Sequence, residues 1–478
     1  MSGVDAIVIG GGPNGVAAAI ELQRHGVQVL LVEANERVGG AARTEACTLP
    51  GFLHDVGSAV YPLGIGSPFF SSLPLEAHGL HWIHPETPLA HPLESGRTAF
   101  LERSLEATAD RLGPDGEAYR ALVSPFVARW PAFVDHVLDT PLRPPTSPGL
   151  MARFAPLALR PTTALARRFT TGAGRALLAG NAAHSGVPLE TRLTGAIGVT
   201  LMAAAHAVGW PVPRGGAGRL TAALADHFIA LGGAIETGRR VGSLDELPEC
   251  RATILALTLR QVGQVAGDRL DARWRRASTR WRYGPGAFKV DWALDGPIPW
   301  REERVGHAGT VHVGGTLEEI AASERAVAAG RLPERPFVLL AQPTVCDPTR
   351  APEGRHVGWA YCHVPNGWSG DATGAIEAQV ERHAPGFRDR ILSRAVWPPS
   401  RLEAWDANLV GGDVNGGAAT LWQVLGPGRW PVRGWRAGRD LYVGSASTAP
   451  GGGVHGMAGF HAARTALRRT FGITPKSR

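Results

Sequence analysis

Residues 6–33 read AIVIGGGPNGVAAAIELQRHGVQVLLVE, and the order of signals in this stretch decides the fold. Ala6-Ile7-Val8-Ile9 is a short apolar run, the pattern of a strand buried on both faces. Val16 to Arg24 is Ala-rich helix material, and Gly26 offers it a C-cap. Val27 to Val32 reads as a second strand, which Glu33 ends. Between the first strand and the helix, Gly10, Gly12 and Gly15 form a GxGxxG turn. The first glycine permits the turn, the second lets a pyrophosphate approach the backbone, and the third lets helix and strand pack closely. The helix start at Pro13, from Asn14 onward, then offers free N–H groups and partial positive charge to phosphates. Glu33 follows Gly15 by 18 residues, where it and the adjoining Ala34 can meet a ribose. A glycine turn alone is a weak signal. Strand, glycines, helix, strand and acid in this order predict a Rossmann-like dinucleotide unit.

Two further glycine-rich stretches extend the reading. Gly39-Gly40-Ala41-Ala42-Arg43-Thr44 comes soon after the acid. Its backbone can lie against a pyrophosphate and Arg43 can reach a phosphate; the structural alternative is a surface loop with an exposed arginine. Near the other end, Asp440 to Gly444 reads as a last buried strand. The turn Pro450-Gly451-Gly452-Gly453-Val454-His455-Gly456-Met457-Ala458-Gly459 follows and leads into a helix, Phe460 to Arg469. A glycine turn before a helix N-terminus is again an anion site. No second complete fingerprint exists. Gly216-Ala217-Gly218 has no buried strand before it and carries Thr221 where the third glycine belongs, and Gly172-Ala173-Gly174 fails the same test. One nucleotide site is therefore expected.

Composition bounds the rest. A chain of 478 residues implies two or three domains. With 44% hydrophobic and 19% charged residues it is globular. The net charge of +7 is mild over this length; it permits contact with an anionic membrane surface, while the absence of a dense basic block or motif argues against nucleic acid. Cys47, Cys250, Cys346 and Cys362 have no paired spacing, so neither a disulfide framework, a metal site nor a redox-active disulfide is expected. No signal-peptide pattern or spanning apolar run is present, and the expectation is a cytoplasmic protein, with membrane association left open. Only Lys289 and Lys476 are lysines, which makes an internal lysine noticeable.

The middle carries fewer signals. Arg97 to Leu112 and Gly116 to Val137 read as helices. Leu150 to Arg175 reads as a helical face with solvated arginines in preference to a membrane-facing lid. A helix from about Arg219 to Leu231 and a strand, Ala234 to Val241, are expected to rejoin the nucleotide sheet, with Val241 near an adenine. Trp274, Trp281 and Trp292, with the alternation in Ala287-Phe288-Lys289-Val290-Asp291-Trp292, suggest an antiparallel sheet. Gly309 to Gly315 and Pro336 to Gln342 look strand-like. Lys289 is either a snorkelling strand lysine or a group whose proton affinity shifts when desolvated, as arginine's cannot.

The quoted ends, with PVPRGG, GAFKVDWALDGPIPW and RAPEGRH between them, resemble the carotenoid (phytoene) desaturase-like branch of the flavin amine-oxidase superfamily over nearly the full length. The resemblance implies FAD as cofactor. It implies an α/β fold: a discontinuous Rossmann-like FAD-binding domain (1–73, 211–265 and 430–478) with an inserted α+β substrate-binding domain (74–210 and 266–429) that has a helical part. It assigns Gly10, Gly12, Gly15, Glu33, Gly39, Gly40 and Arg43 to the nucleotide, and Gly444, Gly453, Val454 and Met457 to the flavin's surroundings. Lys289 matches the lysine that approaches flavin N5 through water. Two positions depart from the pattern: Ala449 where relatives often have His, and Ser445 where amine oxidases commonly carry Glu. The implied activity is hydride removal from a small, apolar organic substrate with formation of a C=C or C=X bond; the final acceptor, oxygen, a quinone or another, is left open. Amine or amino-acid oxidation, isomerisation by reduced FAD and a non-catalytic escort role for prenylated partners are the rivals. Lys289 and His455 are the candidates for proton handling, and His184 and His206 are read as structural.

Overall fold

The computed structural model describes residues 3–94, 96–140, 143–425 and 434–475. The strand Ala6–Ile9 is wholly buried and lies inside a six-stranded sheet. Across that sheet the strands run Arg436–Gly438, Leu441–Val443, Ala252–Leu255, Ala6–Ile9, Val29–Val32 and Ala234–Glu236. All neighbours are parallel except the edge pair Arg436–Gly438 and Leu441–Val443. Parallel strands covered on both faces need apolar residues at every position, which is why the sequence runs without alternation here. Ala6 and Val8 face the cluster that contains the helix Pro13–Gln23, whereas Ile7 and Ile9 face a second cluster with Leu255 and Val443. Each fully buried Ile or Val contributes about 1.5–3 kcal/mol.

The second cluster corrects one expectation. Trp274 lies in a helix, Ala272–Arg280, and packs against Ile7 and Leu255 rather than in an antiparallel sheet. Its indole nitrogen donates to Arg436 O at 2.7 Å. The layer covering the nucleotide sheet therefore continues past residue 265. The boundary expected at 429/430 lies outside the described residues.

A seven-stranded sheet forms the other half. Its order is Ile391–Trp397, Gly286–Leu294, His356–Val364, Val338–Ala341, Ala308–Val313, Thr87–Pro92 and Thr98–Leu101. Only the pair Ala308–Val313 and Thr87–Pro92 is parallel. Within Gly286–Leu294 the period of two holds. Phe288, Val290, Trp292 and Leu294 enter one core, leaving Ala287, Lys289, Asp291 and Ala293 on the opposite face. The helix expected from Arg97 begins only at Leu105, because Thr98–Leu101 pairs with Leu89–Pro92 and Ser104 caps the helix by accepting from Ala107 N–H at 3.2 Å. In the Arg-rich stretch, Leu150, Phe154 and Ala158 are buried while Arg153 and Arg160 are exposed. Among the described residues no helix is long and apolar enough to cross a membrane.

The two ends of the chain meet at a glycine contact. The last helix, Met457–Ala466, lies on Pro13–Gln23. A Cβ at Gly459 would stand 1.7 Å from Asn14 O, and one at Gly444 would stand 2.9 Å from Gly459 Cα. Gly15 serves the same purpose inside the first unit, where a Cβ would stand 1.8 Å from Gly10 O.

Candidate cofactor and substrate site

A cavity of about 390 Å³ runs between the two sheets. Gly10, Gly12, Pro13, Asn14, Gly15, Glu33, Ala34 and Gly40 line one end, with Val241 and its neighbours Arg239 and Arg240. Gly453, Val454 and Lys289 line it further along. The first helix opens at Gly12 with no side-chain cap and with Pro13 in its first turn, so its N-terminal amides are left for a ligand. Asn14 Oδ1 is buried there without a partner among the described residues. Glu33 accepts from Gly11 N–H at 2.6 Å and from the backbone and side-chain N–H groups of Asn35 at 2.8 Å each. These bonds fix the carboxylate at the mouth of the phosphate turn, as a ribose contact requires. An uncapped helix start, an orphaned amide oxygen and a ribose-height carboxylate together fit a dinucleotide.

Five expected contacts lie outside the lining. Gly39 supports the turn by donating its N–H to Gly11 O at 2.8 Å. Arg43 is buried and is not among the lining residues, although its partners Gly40 and Trp405 are. Its Nε donates to Gly40 O at 3.2 Å, its Nη2 to Trp405 O at 3.3 Å, and its guanidinium stacks 3.9 Å above the Trp405 ring. It clamps the second glycine turn. Gly444 packs on the last helix, and Met457 is fully buried in it. His455 is also fully buried: Nδ1 accepts from Met457 N–H at 3.1 Å and so caps that helix. Burial pushes its imidazole down to about 4. His455 lies outside the lining and its observed contact is this cap on the last helix.

Lys289 does line the cavity, and its ammonium is bound to Asp291 on the same strand face. Both residues are buried. Asp291 Oδ2 also accepts from Trp397 Nε1 at 3.0 Å. Burial lowers the lysine's proton affinity while Asp291 restores part of it; burial raises the aspartic acid while Lys289 opposes that. Lys289 thus carries its counter-ion with it, and its charge is compensated before any ligand arrives. The residues opposite come from the neighbouring strand, where Tyr361 pairs with Lys289 and Trp359 with Asp291. Their rings lie 5.3 Å apart, and both line the cavity. These aromatics, with Trp405 and the segment from Val56 to Val60, were not singled out from sequence.

Beyond Tyr361 stands a group of histidines. His184 lines the cavity and its Nε2 lies 3.0 Å from His312 Nε2. Burial pushes His184 down to about 3, His91 down to about 4, and His312 well down. An unfolded histidine protonates near 6.5. Because the folded values are lowered, the stability these neutral rings allow is complete above about pH 6.5 and is lost as pH falls toward 4. The melting midpoint is expected to fall steeply from pH 6.5 to 5, with unfolding taking up about one proton for each buried histidine so lowered, a set that also includes His54, His206, His383 and His455. A flat melting profile over that interval would contradict the assignment of neutral buried rings.

Comparison with known proteins agrees with this architecture. Residues 8–71 match the model of the NAD(P)-binding Rossmann-like domain. The chain is 27% identical to pyridine nucleotide-disulfide oxidoreductase domain-containing protein 2 of Mus musculus, over 97% of this chain and 93% of that protein. It is 25% identical to a phytoene dehydrogenase of Streptomyces griseus, over 81% and 77%. Among solved structures, putrescine oxidase bound to putrescine superposes with a TM-score of 0.63 at 17% identity, covering 97% of this chain and 98% of the other. The fold is mixed α/β with a Rossmann-like dinucleotide-binding half, shared with flavin oxidases.

Proposed function

We propose that the chain is an FAD-dependent dehydrogenase of a small organic molecule. The observation that carries this reading is the shared cavity: Gly12 and Gly453, from opposite ends of the chain, line it together with Lys289 and Tyr361. A long ligand is needed to touch both the phosphate turn and the substrate sheet, and FAD is the cofactor whose dimensions and charge suit it. When bound, FAD supplies two-electron acceptor chemistry that no side chain can. The protein's own contribution is binding, orientation and exclusion of water. The N-terminal glycine turn and Glu33 hold the nucleotide half. The face bearing Lys289, Trp359 and Tyr361 orients the carbon to be oxidised, and Lys289 Nζ holds a proton whose release is governed by Asp291. Formation of a C=C or C=X bond in the manner of the desaturases follows from this reading. Ser445, at a position where amine oxidases commonly carry Glu, leans away from amine oxidation.

The purified protein is expected to be yellow, with FAD near one per chain and an absorbance band at about 450 nm that bleaches on anaerobic addition of substrate. A colourless protein that takes up no FAD would refute the reading and favour a non-catalytic role.

A further inference from the structure

On the face of the large sheet turned to the cavity, the register sets Lys289 opposite Tyr361, Tyr361 opposite Leu339, and Leu339 opposite His312. Three strand spacings make this row roughly 14 Å long. Its two ends differ. At one end the Lys289 ammonium is taken by Asp291. At the other, His312 is fully buried behind His184, which reaches the cavity. Of the two facing Nε2 atoms one donates and the other accepts, so the pair fixes the orientation of the His184 ring. Behind His312 stands His91, held by its Nε2 donating to Gly315 O at 2.7 Å. A Cβ on Gly180, in the helix Gly172–Ala183, would meet the Nδ1 atoms of His312 and His91 at 2.5 and 2.8 Å, so that helix's backbone closes directly over both rings. Between the ends, Leu339 is apolar and lines the cavity. No part of nucleotide binding calls for a buttressed imidazole pair.

We propose that this row is the substrate's bed, and that His184, buttressed by His312, receives a neutral oxygen function, a hydroxyl or a carbonyl, at the far end of an otherwise apolar substrate. The proposal rests on the oxidoreductase reading for the word substrate, but its binding claim stands separately. Charge selects against the alternatives. The Lys289 charge is already paired, and the neighbouring His363 is paired with the Glu324 carboxylate at 3.0 Å. A substrate ammonium or carboxylate would be desolvated at His184 with no free counter-ion beside it. A plain hydrocarbon would bury the imidazole's polar edge unmatched.

The test uses a matched eight-carbon series: 1-octanol, 2-octanone, n-octane, octylamine and octanoate. Each is titrated into the protein as purified, and binding is read from tryptophan fluorescence, since Trp210 lies 5.8 Å from the His184 ring. The alcohol and ketone are expected to bind about fivefold or more tightly than the alkane, with the amine and carboxylate weakest. His184→Phe should abolish the preference for oxygen, while His184→Gln, which keeps a donor and an acceptor, should retain most of it. Should the Phe variant fail to fold, Tyr361→Phe removes one oxygen beside the same path and should lower the alcohol's advantage about twofold. Equal binding of alkane and alcohol by the native protein, tightest binding of a charged probe, or an undiminished preference in the folded variants would overturn the proposal. A colourless protein that still prefers the alcohol would overturn the oxidoreductase reading and keep this one. A yellow protein without the preference would do the reverse.

Discussion

Gly459→Ala is expected to yield protein that has lost most of its FAD and melts several degrees lower. The added methyl would stand 1.7 Å from Asn14 O and 2.6 Å from Asn14 C, atoms of a helix backbone with no rotamer to escape into. The last helix must then move off the first by more than an ångström. Overpacking of this kind costs about 1–3 kcal/mol or more. The displacement falls on Asn14 in the first turn of Pro13–Gln23, whose uncapped amides face the cavity. Nucleotide affinity and fold stability should therefore fall together. Gly374→Ala is the control. It sits in the helix Thr373–His383 with nothing within 4 Å of a new Cβ, and it should be neutral or slightly stabilising. FAD content after gel filtration and thermal melting of both variants decide the matter. A Gly459→Ala protein that keeps stoichiometric FAD and its native melting midpoint would show that the helix contact is not what holds the phosphate turn.

The glycines of the first phosphate turn were legible because their reasons are local, unlike the Gly459–Asn14 contact, which joins opposite ends of the chain. Gly10 has φ +102° and Gly15 touches Gly10 O, so strand, turn and helix dictate both within ten residues of sequence. The other side of the site is not local. His184 and His312 are 128 residues apart in the chain, and nothing in either segment announces the other. Tyr361 faces Lys289 only through strand register, which is set by the packing of the whole sheet. Trp274 misled because an isolated tryptophan near an alternating strand fits sheet and helix equally well, and the nucleotide sheet needed a cover on its second face. The partner of Arg43 was not legible for another reason: Trp405, on whose ring its guanidinium stacks, lies 362 residues away in the chain. One signal was present and passed over. In a strand, Lys289 and Asp291 share a face by the period of two, so AFKVDW already contained the ion pair.

That pair yields the second large effect. Lys289→Met removes the one ammonium bound to Asp291 among the described residues and leaves a fully buried carboxyl with Trp397 Nε1 as its close donor, the Cys47 thiol at 3.8 Å and the buried His54 Nδ1 at 3.7 Å. Breaking a buried pair from one side costs about 3–5 kcal/mol, and denaturant unfolding at neutral pH should show a loss of that size. Burial already raises Asp291, and without Lys289 its folded value rises further above the unfolded carboxyl near 3.9. A group raised on folding gives stability that is present below its unfolded value and lost as pH climbs through its folded one. The variant's deficit should therefore shrink as pH is lowered and widen toward neutrality. Lys289→Met combined with Asp291→Leu removes both charges and should recover most of the stability, because uncompensated charge, not lost volume, carries the penalty. Comparing the rate of flavin bleaching in the single and double variants then separates the two roles of the lysine. If the stable double variant bleaches as fast as the native protein, Lys289 serves the fold alone. A rate that stays low after stability returns locates the effect at Nζ, facing the cavity.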